Sequence, residues 1–163
     1  MREAPSLPLQ ALPLLAQPYF KHLEFKTFSV QSFQFEELLA EKIRASSQRI
    51  RSRDLYDLAK AAERPIKAPL IRTLAAIKCW NVGRALEPER FLERLRSGKY
   101  DWEELRQFVR KSEKINPEKL ISLCESRYRF LLALTDNEKR LIDDAKRHKF
   151  KDLPRTMLKA VKA

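Results

Sequence analysis

The chain has 163 residues, of which 44% are hydrophobic, enough to build a folded core in one or two small domains. No apolar run reaches membrane-spanning length and the N-terminus lacks a basic-then-apolar leader pattern, which argues against a membrane partner and for a cytoplasmic protein. The formal net charge of +12 agrees with a nucleic-acid-linked protein, and two cysteines at no metal-ligand spacing, Cys79 and Cys124, read as buried reduced thiols.

In chain order, Pro5, Pro8, Pro13 and Pro18 forbid a regular helix over residues 1–18 and predict an extended or irregular path. From Phe20 to Phe33 the residues alternate, with Leu23 and Phe25 in one phase and Phe28 and Val30 in the other. That phase change predicts a turn between two short strands, or one strand with a bulge. Two strands make a marginal sheet that needs a partner, and their apolar edge would be exposed in the chain alone. Helices are expected from Phe35 onward: roughly 35–49, 53–63 ending before Pro65, and 69–82 with Leu70, Ile71, Leu74 and Ile77 buried. Pro88 suits the first turn of a helix that Gly98 terminates. Asp101 and Glu104 form a capping-box-like start to the next helix, whose Trp102, Leu105, Phe108 and Val109 read as a core stripe. Asn116 caps a helix with Pro117 at its first position, and Thr135 with Glu138 opens the last one.

Two of these helices carry charge where apolar residues are expected. At about 100° per residue, Lys42 falls between Leu38 and Leu39, on the side of Phe35, Ile43 and Ser46, while Glu41 and Arg44 face outward. On the second helix Asp54 shares a face with Leu55, Ala61 and Ala62. Each has an ordinary explanation: a lysine snorkels its ammonium to water, and an aspartate suits the first turn of a helix capped by Ser52. Close in sequence, opposite in charge and both turned inward, they predict a Lys42–Asp54 pair bridging two helices. Spacing alone does not decide whether that pair is structural or catalytic.

The runs Glu36-Glu37-Leu38-Leu39-Ala40-Glu41-Lys42-Ile43-Arg44-Ala45 and Arg53-Asp54-Leu55-Tyr56-Asp57-Leu58 resemble the central signature of AbiEii/AbiGii-type nucleotidyltransferases. These are the toxin components of type IV toxin–antitoxin and abortive-infection systems. The segments Tyr100-Asp101-Trp102-Glu103-Glu104-Leu105 and Leu131–Glu138 resemble two later helix boundaries of that family, so the likeness covers roughly residues 36–150. The resemblance implies transfer of a nucleotide from a nucleoside triphosphate to an acceptor such as the 3′ end of tRNA, with Mg²⁺ as cofactor and an antitoxin as partner. It implies catalytic roles for Lys42, facing the triphosphate, and Asp54, orienting Lys42 or standing near the metals. Arg53 and Asp57 would position these groups and the helix.

The family's palm precedes these blocks, with a Gly-Gly-Thr or Gly-Ser turn and an Asp-x-Asp pair that holds the metals. Here the only glycines are Gly83 and Gly98, there is no Asp-x-Asp, and Asp143-Asp144 fall in a late helix. Met1-Arg2-Glu3-Ala4-Pro5 resembles the end of the last palm strand. The expected protein is therefore a truncated enzyme or split-gene product that binds no metal or nucleotide cofactor alone and is inactive without a palm half. The expected fold is mainly α: residues 1–34 a proline-rich segment with one or two palm strands, 35–152 a helical domain, and 153–163 a basic tail.

Residues 145–163 hold Lys146, Arg147, Lys149, Lys151, Arg155, Lys159 and Lys162 against one acid, Asp152, which places half of the net charge there. Such a cluster attracts phosphate backbones without sequence preference, although terminal lysine runs are also commonly just solvated. Lys146, Arg147, Lys149, Lys151 and Arg155 are accordingly candidate RNA contacts. The alternative to a transferase fragment is a non-catalytic helical module that binds RNA or a protein, paired with a separate palm or an antitoxin. His22 and His148 are isolated and fit no catalytic arrangement.

Overall fold

Prolines keep the first eighteen residues out of a regular helix, and the chain uses the extended backbone they allow. A computed structural model describes residues 5–15, 17–22 and 28–162. Strand β1 (Gln10–Pro13) pairs antiparallel with β2 (Ser29–Ser32), Gln10 opposite Ser32 and Pro13 opposite Ser29. Pro13 is tolerated because a two-stranded ribbon is all edge, so its missing N–H costs no ladder bond. A short 3-10 helix, Pro18–His22, lies between the strands. The ribbon differs from the expected pairing within residues 20–33: β2 is there, but its partner comes from the proline-rich segment. Leu23 and Phe25 lie outside the described residues.

Eight α-helices follow among the described residues, and the protein is mainly helical: α1 (Phe35–Gln48), α2 (Ser52–Ala62), α3 (Ala68–Asn81), α4 (Pro88–Ser97), α5 (Trp102–Phe108), α6 (Pro117–Arg127), α7 (Asp136–Asp143) and α8 (Leu153–Lys162). Local chemistry sets many of their ends. Asp101 accepts the Glu104 N–H at 2.8 Å and Asn116 accepts that of Lys119 at 3.0 Å, as their spacing predicts. Helix α3 ends in a Schellman motif: the Gly83 N–H donates to the Trp80 carbonyl and the Arg84 N–H to that of Cys79. Gly83 stands at φ +67°, the left-handed conformation this stop requires.

Helix α3 is the axis of the molecule. Residues 71–80 are all buried, as α3 packs against α1, α7 and α8. Helices α1 and α2 pack together, α2 covers α5 and α6, and α4 joins α6. Cys79 and Cys124 are both buried and neither is in a disulfide, and burial pushes the Cys124 thiol pKa up to about 12.

The charged groups inside this core are matched, whereas the buried Ser46 and Ser52 hydroxyls make no hydrogen bond among the described residues. Glu37 on α1 meets Lys78 of α3 at 2.6 Å and also accepts the Ser6 and Leu7 N–H groups at 3.1 and 2.9 Å, fastening the N-terminal segment to the bundle. Glu138 at the start of α7 is wholly buried. It closes the Thr135 capping box and accepts Arg72 Nε and Thr73 Oγ1, each at 2.8 Å.

Several residues lie elsewhere than the helical pattern predicts. Ser52 is the first residue of α2, whose cap position is Arg51, and the Ser52 hydroxyl is buried without capping. Leu38 and Phe108, read as core residues, are exposed. The helix opened by Thr135 is not the last. Residues 153–162, read from their charge as a tail, form α8, which packs on α3 and α7 and buries Met157. Its apolar Leu153, Met157, Leu158 and Val161 make an inward stripe beneath the charges.

Glu138→Ala is expected to cost about 3–5 kcal/mol, because it strands the buried Arg72, whereas Thr135→Ala should cost about 1 kcal/mol as the loss of a cap. Urea unfolding of both variants checks the ranking; equal losses would reduce Glu138 to a capping residue.

Candidate functional site

Helix α1 ends at Gln48, α2 begins at Ser52, and the link between them is extended at Arg49 and Arg51. Extended backbone sends alternate side chains the same way, and this short connection folds α2 back against α1. Asp54, in the first turn of α2, is then brought under Lys42 of α1. The Lys42 ammonium lies 3.0 Å from Asp54 and 2.8 Å from Asp57, one turn further along α2. Arg49 meets Asp54 from the other side, with Nε 2.8 Å from Oδ2.

Asp54 is 4% exposed and is the anchor of this cluster. Burial works against its charge, but hydrogen bonds from Arg49 and Lys42 outweigh that and hold its pKa below the usual carboxylate value. Burial likewise works against the Lys42 ammonium, while hydrogen bonds to Asp57 and Asp54 leave its pKa raised. Both groups are charged through the physiological range.

Arg51 and Arg53 complete the arrangement. Arg53 lies 3.2 Å from Glu104 of α5, and its guanidinium sits 4.3 Å from the Phe108 ring centroid. That stacking gives the exposed Phe108 a role: it covers a cation rather than filling the core. Lys42, Arg49, Arg51 and Arg53 surround a pocket of about 320 Å³ with Asp54 and Asp57, four cations against two carboxylates. A second cleft of about 550 Å³ adjoins it, sharing Lys42, Arg49 and Asp57, and is walled by the apolar Phe35, Leu38 and Ala61. Leu38 is exposed because it lines this cleft.

Lys42 and Asp54 thus meet as their helical phase predicts, and Arg53 and Asp57 lie in the same pocket. Sequence reasoning missed Arg49 and Arg51; the signal was arginine at every second position, 49, 51 and 53, across a helix break. Lys146, Arg147, Lys149, Lys151 and Arg155 are exposed and line neither cleft around Lys42. His148 is not isolated: it stacks on Trp80 with centroids 4.2 Å apart. Among the described residues no group of three or more His, Cys, Asp or Glu side chains is placed to hold a metal ion, and no helix is long and apolar enough to cross a membrane.

Residues 2–162 match the profile of a family described as nucleotidyl transferase AbiEii toxin, type IV TA system. Among solved structures the chain is similar to MenT4, a nucleotidyltransferase toxin from Mycobacterium tuberculosis H37Rv. The TM-score is 0.77 at 23% identity, covering 98% of this chain and 56% of that one. The chain therefore spans little more than half the length of that structure, and the likeness is one of fold. No curated protein matches the chain.

Because the folded-state pKa of Asp54 is depressed, its contribution to stability is present above about pH 3.9 and lost as the pH falls through the lowered value. Lys42, with a raised pKa, contributes below about pH 10.4 and loses its contribution as the pH rises through the raised value. The stability gap between wild type and Asp54→Asn should therefore be constant between these limits and close below about pH 4. Denaturant unfolding across pH reads this directly; a gap that persists unchanged into strong acid would mean that Asp54 acts through packing instead of charge.

Proposed function

Because the chain belongs to the AbiEii family of nucleotidyltransferase toxins, we propose that it supplies the triphosphate-holding part of a nucleotidyl-transfer site acting on an RNA acceptor, tRNA by family resemblance. The observation that carries this reading is Lys42 at the junction of two clefts, one cationic and one apolar. A nucleoside triphosphate has the same division. Its base and sugar suit the side of Phe35, Leu38 and Ala61, and its phosphates suit Arg49, Arg51 and Arg53. In the reaction an acceptor hydroxyl oxygen forms a bond to the α-phosphorus, the bond from that phosphorus to the pyrophosphate oxygen breaks, and the hydroxyl proton leaves to solvent. The Lys42 ammonium offsets negative charge on the phosphoryl oxygens, and Asp54 keeps it aimed.

Mg²⁺, which the family resemblance implies, does not fit the donors present. Asp54 and Asp57 bracket the Lys42 ammonium, and Asp54 is also engaged by Arg49. We therefore assign the metal-holding carboxylates to a palm half outside this chain, and we expect the chain to be inactive alone. The β1–β2 ribbon supports such a partner: Leu9, Leu12, Phe28 and Val30 are all exposed on or beside it, an unusual apolar density for a finished surface. A cognate antitoxin is the further partner that family membership suggests.

A second reading, a non-catalytic RNA-binding module, draws on the exposed basic residues between Lys146 and Arg155. The two readings separate in one assay. The chain alone should bind a fluorescent nucleoside triphosphate without transferring label to total tRNA, and Lys42→Ala should weaken that binding about tenfold, roughly 1.4 kcal/mol. In an enzyme completed with the palm half, Lys42→Ala and Asp54→Ala should each lower transfer by about 10²-fold or more while the far-ultraviolet spectrum stays unchanged. Full transfer in either variant would remove these residues from the chemistry. RNA binding with no affinity for triphosphates would favour the module.

A further inference from the structure

A second cationic surface lies on α8, and its charges are unlike those around Asp54. Lys151, Arg155 and Lys159 are exposed, and none has an ion-pair partner among the described residues. They rim a groove of about 400 Å³, lined also by Ser6 and Asn81, whose apolar floor is Leu158 of α8 with the nearly buried Ile77 and Trp80 of α3. The Trp80 indole is fixed in place, since its Nε1–H donates to the buried Asp144 at 3.2 Å and His148 stacks on its ring. Asp144 is itself held by the Lys149 and Phe150 N–H groups, each at 3.0 Å. The loop leading into α8 and the groove floor are thus tied to one carboxylate.

An apolar floor beneath a row of unpartnered cations selects a ligand that is both anionic and flat-faced. Residues four apart on a helix advance about 6 Å, so Arg155 and Lys159 stand in line, and Lys151 extends the row. A ligand with one charge meets one of them; a polymer with a charge on every unit meets all three. Single-stranded RNA has both properties, with phosphates repeated along its backbone and unpaired bases free to lie on an apolar surface. A duplex offers the phosphates but keeps its bases stacked, and an acidic peptide has the charge without the flat group.

We propose that the groove between α3 and α8 binds a single-stranded stretch of RNA, with phosphates on Lys151, Arg155 and Lys159 and one base on the floor formed by Trp80 and Leu158. The inference rests on the RNA acceptor proposed above and places that acceptor's strand on a surface separate from the two clefts that share Lys42.

The test is a salt titration of the full chain with labelled oligouridylate, read by fluorescence anisotropy. Each phosphate contact contributes about 0.7 to the slope of log K against log salt for a single strand. Lys151→Gln/Arg155→Gln/Lys159→Gln should therefore flatten the slope by about 2 and weaken binding by about tenfold or more. Removal of equal charge elsewhere, Lys111→Gln/Lys114→Gln/Lys119→Gln, should leave the slope near wild type. In a Trp102→Phe background Trp80 is the remaining tryptophan, and its fluorescence should change along the same binding curve.

Equal flattening by both triple variants would overturn the groove in favour of diffuse charge. Binding without a Trp80 response, or tighter binding of a duplex or an acidic protein, would overturn it as well. A completed enzyme whose KM for RNA is unmoved by the α8 variant would refute the groove and leave the RNA acceptor standing. No RNA binding or RNA labelling by either form would refute both.

Discussion

Helix α3 is buried over residues 71–80 and yet carries Arg72 and Lys78 there, and that constraint places much of the remaining chain. A charge in a core costs several kcal/mol unless an opposite charge meets it with good geometry. Glu138 answers Arg72 and thereby docks the start of α7; Glu37 answers Lys78 and docks α1. The second carboxylate also gathers the N–H groups of Ser6 and Leu7, so the N-terminal segment hangs from the same point. Glu37 and Lys42 are five residues apart, about 140° around α1. One side chain fixes the helix to the core, and the other is consequently held toward α2 and Asp54.

What the sequence makes legible here is what depends on near neighbours. The starts at Asp101, Asn116 and Thr135 follow from side chains reaching N–H groups three residues on, which needs no tertiary information. Lys42 and Asp54 were visible because each breaks an apolar phase. The misreadings occur where tertiary context overrides pattern. Leu38 is in phase with the core but lines a cleft, and Phe108 lies under a guanidinium from another helix. Strand β1 was hidden by prolines, which exclude helix but do not exclude the edge of a ribbon. In α8 the count of lysines and arginines masked a four-residue apolar stripe, because net charge says nothing about which face carries it. Arg49 and Arg51 have no helical phase at all, and only the extended link gives them a direction.

The site around Asp54 holds four cations within one pocket, an arrangement that repels itself unless compensated. Compensation is graded by burial. Asp54 is enclosed and accepts hydrogen bonds from Lys42 and Arg49, so displacing it would give up both bonds and strand a buried carboxylate. Asp57 is half open to solvent, and Arg53 is drawn aside toward Glu104 and Phe108. Under the function proposed above, an incoming phosphate replaces Asp57 at the Lys42 ammonium while Asp54 keeps that ammonium in place. One carboxylate then sets the geometry and the other holds the position that the anion would take.

This grading separates the two cationic regions of the molecule. Around Asp54 the cations are already oriented by carboxylates, so a bound anion gains their field without reorganising them, the condition under which electrostatics lowers a reaction barrier. On α8 and in the turn before it the cations are exposed side chains with no ion-pair partner among the described residues; charges of that kind raise the local concentration of a polyanion and lose their effect within about 8–10 Å at ordinary salt. Orientation suits chemistry and freedom suits capture. Holding a small anion rigidly and gathering a large polyanion loosely place opposite demands on a cation, and the two kinds of positive charge in this chain lie apart, on α1–α2 and on α8.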